Sequence, residues 1–272
     1  MEHISRKERL CAIAGQLIQS PNQILPFTPF CETFEAAKSS LSEDIAMLRE
    51  VFSAYQLGEI ETLAGASGGV RYRARLSREA AYTFLTELGH ELENPARQLP
   101  GGYLYTSDIL SDANAVRKMG CIIAGAYYEA QPDFVLTMET KGIPVATMVS
   151  QYLNVPMVVA RRSSKVYEGP AVSINYVSGS SERIETMCLS RRAVKAGQKA
   201  LIVDDFLKNG CTAKGMMDLM AEFDAQIVGA AFAIAREQKD ARQITGEKSL
   251  LIVRTLPDGS IEVKPDAWLQ EL

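Results

Sequence analysis

Apolar residues recur at Leu10, Ile13, Ala14, Leu17 and Ile18, the i, i+3, i+4 spacing of a helix with one buried stripe, and Pro21-Asn22 closes that segment. Thr28-Pro29 predicts an N-cap with proline at the first helical position, opening a short helix to about Ala37. Ser40 and Glu43 have capping-box spacing, and the helix they predict carries Ile45, Leu48, Val51 and Phe52 on one face. The period then changes to two. Leu57–Leu63 and Gly69–Arg75 alternate, and Ala64-Gly65-Ala66-Ser67-Gly68 joins them, which predicts a β-hairpin. Three helices followed by a hairpin predict a winged helix-turn-helix domain over residues 1–75.

Residues 77–95 return to the amphipathic helical pattern, with Ser77 as cap and Pro95 as stop, and the domain boundary is placed near residue 75. After Pro100-Gly101-Gly102, helix-length and strand-length segments alternate. A helix is predicted over Asp112–Ala130, a strand over Phe134–Met138, and a helix from the Lys141-Gly142 turn to Tyr152. The strand Val155–Ala160 follows, then a long polar, glycine-bearing excursion, Arg161–Glu182. Strands Leu201–Asp204, Ile227–Ala235 and Leu250–Thr255 complete the pattern. It predicts an α/β domain over residues 76–272 with a mostly parallel sheet and ligands at the strand C-terminal ends.

Composition narrows the function classes. At 272 residues and 47% apolar content the chain can bury one large core or two smaller ones. No apolar run reaches membrane-spanning length and the N-terminus lacks a signal-peptide pattern, so a soluble cytosolic protein is expected. The five cysteines are scattered without a C-x-x-C pair, and the two histidines, His3 and His90, have no ligand-spaced neighbours. That argues against a disulfide framework, a protein metal site and a histidine-based hydrolase. The net charge of −4 argues mildly against nucleic acid as partner, and residues 1–75 hold eight Lys/Arg against nine Asp/Glu. A DNA reading therefore rests on where the charges sit. Lys38, Ser39, Ser40 and Ser42 open the third helix, where a recognition helix presents its N-terminus. Arg71, Arg73 and Arg75 alternate on one face of the hairpin, and Arg6, Lys7 and Arg9 open the first helix. Asp44 is expected to point outward. A dimerisation module is the alternative for this segment.

The most informative run is Leu201-Ile-Val-Asp-Asp-Phe-Leu-Lys-Asn-Gly-Cys-Thr212. An apolar strand ends in two carboxylates, and a short loop leads into a helix over Ala213–Phe223. Asp204 and Asp205 can accept bonds from ribose hydroxyls or face a cation, while backbone N–H groups of Lys208–Thr212 can wrap a phosphate. Thr140-Lys141-Gly142 offers a cation and backbone N–H groups suited to a diphosphate.

This run resembles the binding motif for 5-phosphoribosyl-1-diphosphate (PRPP) of type I phosphoribosyltransferases, and Met138–Ala146 resembles their pyrophosphate loop. With Leu99–Tyr105, Lys165–Gly169 and Val172–Ser181, nearly the whole chain resembles the purine operon repressors of Gram-positive bacteria. The resemblance implies a repressor of purine biosynthesis and salvage genes, with PRPP as an inducer that lowers DNA affinity. It implies PRPP contacts from Asp204, Asp205, Phe206, Lys208, Asn209, Gly210, Cys211, Thr212, Thr140, Lys141, Gly142 and Tyr103. Mg²⁺ is expected on the ligand's own oxygens, and the chain is expected to form a homodimer. A guanosine carrying 5′- and 3′-diphosphates, stacked between Tyr103 and Phe206, is a candidate competitor. Two departures matter. The family's 6-oxopurine enzymes use an aspartate against the base nitrogen where this chain has Lys208, so no catalytic residue is expected. Cys211 replaces the second glycine of the usual Gly-Gly-Thr, and a positive φ there would be strained. An active purine phosphoribosyltransferase with an N-terminal dimerisation module is the alternative.

Overall fold

The computed structural model describes residues 4–65, 68–164, 169–177, 184–237 and 243–271. It divides into two compact units, Met1–Ser77 with Gln151–Asn154, and Arg78–Ser150 with Val155–Leu272.

The first unit contains α1 (Arg6–Gln19), β1 (Ile24–Leu25), α2 (Phe27–Phe34), α3 (Lys38–Ala54), β2 (Glu59–Leu63) and β3 (Gly69–Arg73). Its helices bury Ile13, Leu17, Phe30, Phe34, Leu41, Ile45, Leu48 and Phe52 against Ile60, Val70 and Tyr72 of the sheet. The rings of Phe52 and Tyr72 meet edge to face at 5.6 Å. Ser5 and Glu8 form a capping box on α1. The predicted start signals of the next two helices are displaced. α2 begins at Phe27 after Pro26, and α3 begins at Lys38 after Ala37, neither with a side-chain cap bond. Ser40 is therefore inside α3 rather than its cap. Val51 is 40% exposed and Ile18 52% exposed, so the buried stripes are narrower than the apolar ones. β1 pairs antiparallel with β3, and β3 with β2, which makes a three-stranded sheet from the predicted hairpin.

The second unit is built on a six-stranded sheet in the order β13-β12-β11-β10-β6-β7. Its strands are β6 (Phe134–Met138), β7 (Met157–Ala160), β10 (Lys199–Leu207), β11 (Gln226–Arg236), β12 (Lys248–Thr255) and β13 (Ile261–Pro265). All neighbours are parallel except β13 on β12. The central strands are buried on both faces, which is why their sequences read as continuous apolar runs. Around the sheet lie α4 (Arg78–Leu92), α5 (Ala113–Tyr127), α6 (Ile143–Leu153) and α7 (Cys211–Ala221). Two small antiparallel pairs complete the unit: β4 (Gln98–Leu99) with β5 (Tyr103–Leu104), and β8 (Ala171–Val177) with β9 (Ile184–Ser190). The chain runs from β6 outward to β7 and then returns to β10 on the other side of β6. The crevice of such a sheet lies at the carboxyl ends of β6 and β10, where the strand order reverses.

Candidate functional site

The loops leaving β6 and β10 are therefore neighbours, and they are the two motifs singled out in the sequence. β10 outruns β6: its pairing with β6 stops at Ile202, while its pairing with β11 continues to Leu207. Asp204 and Asp205 emerge in the part of β10 that has lost its β6 neighbour. Both lie within the strand, where the sequence pattern ended it at Asp204. Gly142 of the first loop presses against Asp204: a Cβ there would lie 2.1 Å from Asp204 Oδ1 and 2.6 Å from Thr137 Oγ1. Only glycine permits that approach. The Glu139–Thr140 peptide is cis, and Thr140 and Lys141 are exposed.

Asp204 is buried and its Oδ1 accepts the Asp205 N–H at 3.0 Å. Burial, followed by the charge of Asp205, holds the Asp204 carboxyl well above the usual carboxylate range. Burial also raises Asp205, opposed by Asp204's hydrogen bond and by the Lys141 ammonium. A cation or a set of ribose hydroxyls facing this pair would relieve the cost of its charge. Among the described residues no group of three or more His, Cys, Asp or Glu could hold a metal ion.

The loop after β10 turns at Gly210, whose φ of 80° is the left-handed conformation glycine adopts freely. Cys211 is the first residue of α7 and is absent from the positive-φ residues. The strain expected at Cys211 therefore does not arise, because Gly210 alone takes the turn. Lys208 through Ala213 line a cavity of about 250 Å³, together with Lys141, Asp204, Asp205, Phe206, Tyr103 and Arg236. Tyr103, 54% exposed, is carried by the β4–β5 hairpin, which Arg236 holds through a 2.8 Å bond to the Gly102 carbonyl. The Lys208 ammonium lies 5.9 Å from the Tyr103 ring centroid. The twelve residues predicted around a sugar phosphate thus lie on the end of β10, on the two loops and on this flap. Arg236, at the end of β11, was not singled out in the sequence, since an arginine closing an apolar strand carries no signal of its own. A second cavity, about 440 Å³, is lined by Glu139, Thr140, Lys141, Arg162, Tyr176 and Thr212 among others. Tyr176 belongs to the Val172–Ser181 run that carries the resemblance, but it was not among the predicted site residues. Lys165 of the predicted excursion, and Arg183 just after it, lie outside the described residues.

The proposed DNA face is only partly as predicted. Asp44 has no exposed surface and receives Arg6 Nε at 2.8 Å and Arg9 Nε at 2.6 Å. The outward direction expected for Asp44 is overturned: two guanidiniums from α1 neutralise it inside the unit. This pairing also brings the first turn of α1, with Arg6 and exposed Lys7, beside the first turns of α3. Lys38, Ser39 and Ser42 are exposed, and Ser42 Oγ donates to the Lys38 carbonyl at 2.9 Å. Ser40 is half-buried. The hairpin arginines do not form an outward row. Arg71 pairs with Glu61 in close contact at 2.6 Å, and Arg75 reaches Glu59 at 2.8 Å. Arg73 is 8% exposed and lies between Glu61, at 3.3 Å, and Asn22 Oδ1, at 3.4 Å. The acids of β2 answer Arg71 and Arg73 of β3 and Arg75 just after it, so this face is neutralised across the strands.

Two family models match the chain: the N-terminal domain of bacterial purine repressors over residues 5–74, and the phosphoribosyl transferase domain over residues 106–266. The chain is 42% identical to the purine biosynthesis transcriptional repressor PurR of Bacillus subtilis over 97% of its own length and 94% of that protein. It is 43% identical to the purine biosynthesis transcriptional activator PurR of Lactococcus lactis, over 92% of each chain. A crystal structure of adenine phosphoribosyl transferase from Trypanosoma brucei shares the fold, with a TM-score of 0.51 at 16% identity, covering 68% of this chain and 86% of that one.

Proposed function

The chain belongs to the PurR family of purine biosynthesis regulators, and from that premise we propose that it is a DNA-binding repressor of purine biosynthesis and salvage genes that PRPP releases from its operator. The observation that carries the reading is the convergence of the Thr140–Gly142 and Asp204–Thr212 loops on one crevice, in a chain joined along its length to named transcriptional regulators. The first loop suits a diphosphate and the second a 5-phosphate, and the acidic pair between them suits the ribose hydroxyls. Mg²⁺ would sit on the ligand's diphosphate and ribose oxygens facing Asp204 and Asp205, neutralising charge there. The chain's own residues bind and orient the ligand. Thr212 offers a hydroxyl, α7 its first N–H groups, and Lys141 an ammonium.

Lys208 supports a regulator rather than an enzyme. Its ammonium sits over Tyr103, and it stands at the sequence position where the resembling 6-oxopurine enzymes use an aspartate against the base nitrogen; an ammonium cannot accept that proton at neutral pH. The Tyr103 flap and Phe206 leave an aromatic-edged slot in which a guanosine 5′,3′-bis-diphosphate competes with PRPP. The exposed first turns of α1 and α3, with Lys7, Lys38 and Ser39, form the DNA-facing surface, and two copies read a two-part site.

The test is an anisotropy titration of the full chain against the upstream region of a purine operon, with and without PRPP and Mg²⁺, paired with a transcription assay. Specific binding relieved by PRPP, with transcription rising, is expected. PRPP-dependent stimulation from a bound state would identify an activator, as its Lactococcus lactis relative is named. Turnover of PRPP with a purine base, without specific DNA binding, would replace the reading by an enzyme's.

A further inference from the structure

The β4–β5 flap is a short element pinned at both ends. At its base the Arg97 guanidinium grips both carboxylate oxygens of Asp108 at 2.8 Å, pairs with Glu91, and donates to the Tyr105 carbonyl at 3.2 Å. The Tyr105 N–H donates in turn to the Arg97 carbonyl at 2.8 Å. Between base and tip only two residue pairs join the strands, Gln98 with Leu104 and Leu99 with Tyr103. The tip turns through Gly101 and Gly102 at φ of 79° and 72°, a conformation that glycine enters freely and leaves as freely. The Tyr103 ring folds back over this turn, where a Cβ on Gly101 would lie 3.2 Å from it. The Arg236 guanidinium meets the same turn. It donates to the Gly102 carbonyl at 2.8 Å, and a Cβ on Gly102 would lie 3.5 Å from it. Arg236 itself stands on a rigid base, since it ends the inner strand β11, where it pairs with Val253 of β12.

We propose that Arg236 is a specificity-determining positioning residue: by fixing the glycine turn it presents the Tyr103 ring as a stacking wall, so that a ligand carrying a base depends on it more than PRPP does. The inference rests on the reading of this crevice as a PRPP site with an aromatic-edged slot beside Phe206. Without its tip bond, a flap of two strand pairs leaves the ring free to swing. A stacked base must then order the ring, and that ordering is subtracted from its affinity. PRPP has no base to stack there. The positive charge of Arg236 acts on both ligands, because both are polyanions in the cavity that Arg236 lines. The ratio of the two affinities therefore isolates the part played by the ring.

The experiment is calorimetric titration of the full chain with PRPP and with guanosine 5′,3′-bis-diphosphate, each with Mg²⁺. It compares the unsubstituted chain with Arg236→Met, Tyr103→Ala and the double variant. Arg236→Met keeps an unbranched stem and removes the donors. It is expected to weaken the nucleotide at least about tenfold more than it weakens PRPP. In the Tyr103→Ala background that excess is expected to vanish, because Arg236 acts through the ring. Amide exchange of the ligand-free chain is the second readout, with the Gly101–Tyr103 amides expected to exchange at least about tenfold faster in Arg236→Met. Equal weakening of both ligands, an excess that survives in Tyr103→Ala, or unchanged exchange of the flap overturns the proposal. Failure of the nucleotide to bind the unsubstituted chain while PRPP binds overturns the reading of the slot, and with it this one. Failure of PRPP to bind overturns the reading of the crevice itself.

Discussion

Asp44 sits with no exposed surface between the guanidiniums of Arg6 and Arg9, and its removal would leave those cations against the core of the N-terminal unit. Asp44→Ala is expected to destabilise that unit by about 3 kcal/mol, measured from urea unfolding. A loss under about 0.5 kcal/mol would mean that the pair does not join α1 to α3. The acidic pair of the crevice has the opposite character. Asp204 and Asp205 both titrate above their unfolded value of about 4, so the native chain retains protons that the unfolded chain has already lost. Stability of the ligand-free protein is therefore highest below that unfolded value and falls as pH rises toward and through the raised native values. Asp204→Asn is expected to flatten this fall in thermal melts taken from about pH 4 to 8; an unchanged slope would place the titration elsewhere. At Gly142, a methyl group would collide with the Asp204 carboxylate. Gly142→Ala is expected to weaken PRPP binding by about tenfold or more, roughly 1.4 kcal/mol, with the calorimetric affinity as readout. At this scale the sequence made the loop residues legible because a strand, two acids, a glycine and a helix start are consecutive. Asp44 and Arg236 were not legible, since the partners of Asp44 lie 38 and 35 positions away and Arg236 reads as the ordinary end of an apolar strand.

Among the elements, long periodic segments were readable and short ones were not. α1, α5 and the central strands appear where apolar period and caps place them. β1, β4 and β5 have two residues each, too few to show a period, and exist because a neighbouring strand supplies their bonds. β8 was hidden in the polar excursion because its buried and exposed residues are interleaved, and β9, which follows the excursion, was not marked as a strand. The starts of α2 and α3 were misplaced because Ser, Thr and Pro are as compatible with the first helical turn as with the cap. On β3 the alternation of arginines was visible, but their acids on β2 decide what they do. Arg73→Ala is accordingly expected to lower stability and to leave the salt dependence of DNA binding unchanged. Lys38→Ala is expected to reduce the slope of log affinity against log salt by about 0.9, the effect of one neutralised phosphate. A reduced slope in Arg73→Ala at unchanged stability would return the hairpin arginines to the DNA face.

For the whole molecule, regulation is a statement about linked equilibria. If PRPP lowers DNA affinity by some factor, saturating operator DNA must lower PRPP affinity by the same factor. Equal factors from the two titrations are expected; PRPP affinity unaffected by DNA would mean that release has another cause. A ligand that binds the free and DNA-bound states equally shifts nothing, so this pair of numbers tests the mechanism more directly than either affinity alone.

The sequence by itself determined the two-part organisation, the class of each part, and the two loops that face the crevice. Those features are local: hydrophobic period, strand-to-loop-to-helix order and runs of consecutive residues specify them. Only the tertiary structure decided that the two loops are neighbours, because the return of the chain from β7 to β10 places their strand ends side by side. It also decided which charges face solvent. A cation reads the same in sequence whether it meets water or a carboxylate, and burial of Asp44, Arg73 and Asp204 is settled by partners that folding brings from elsewhere in the chain.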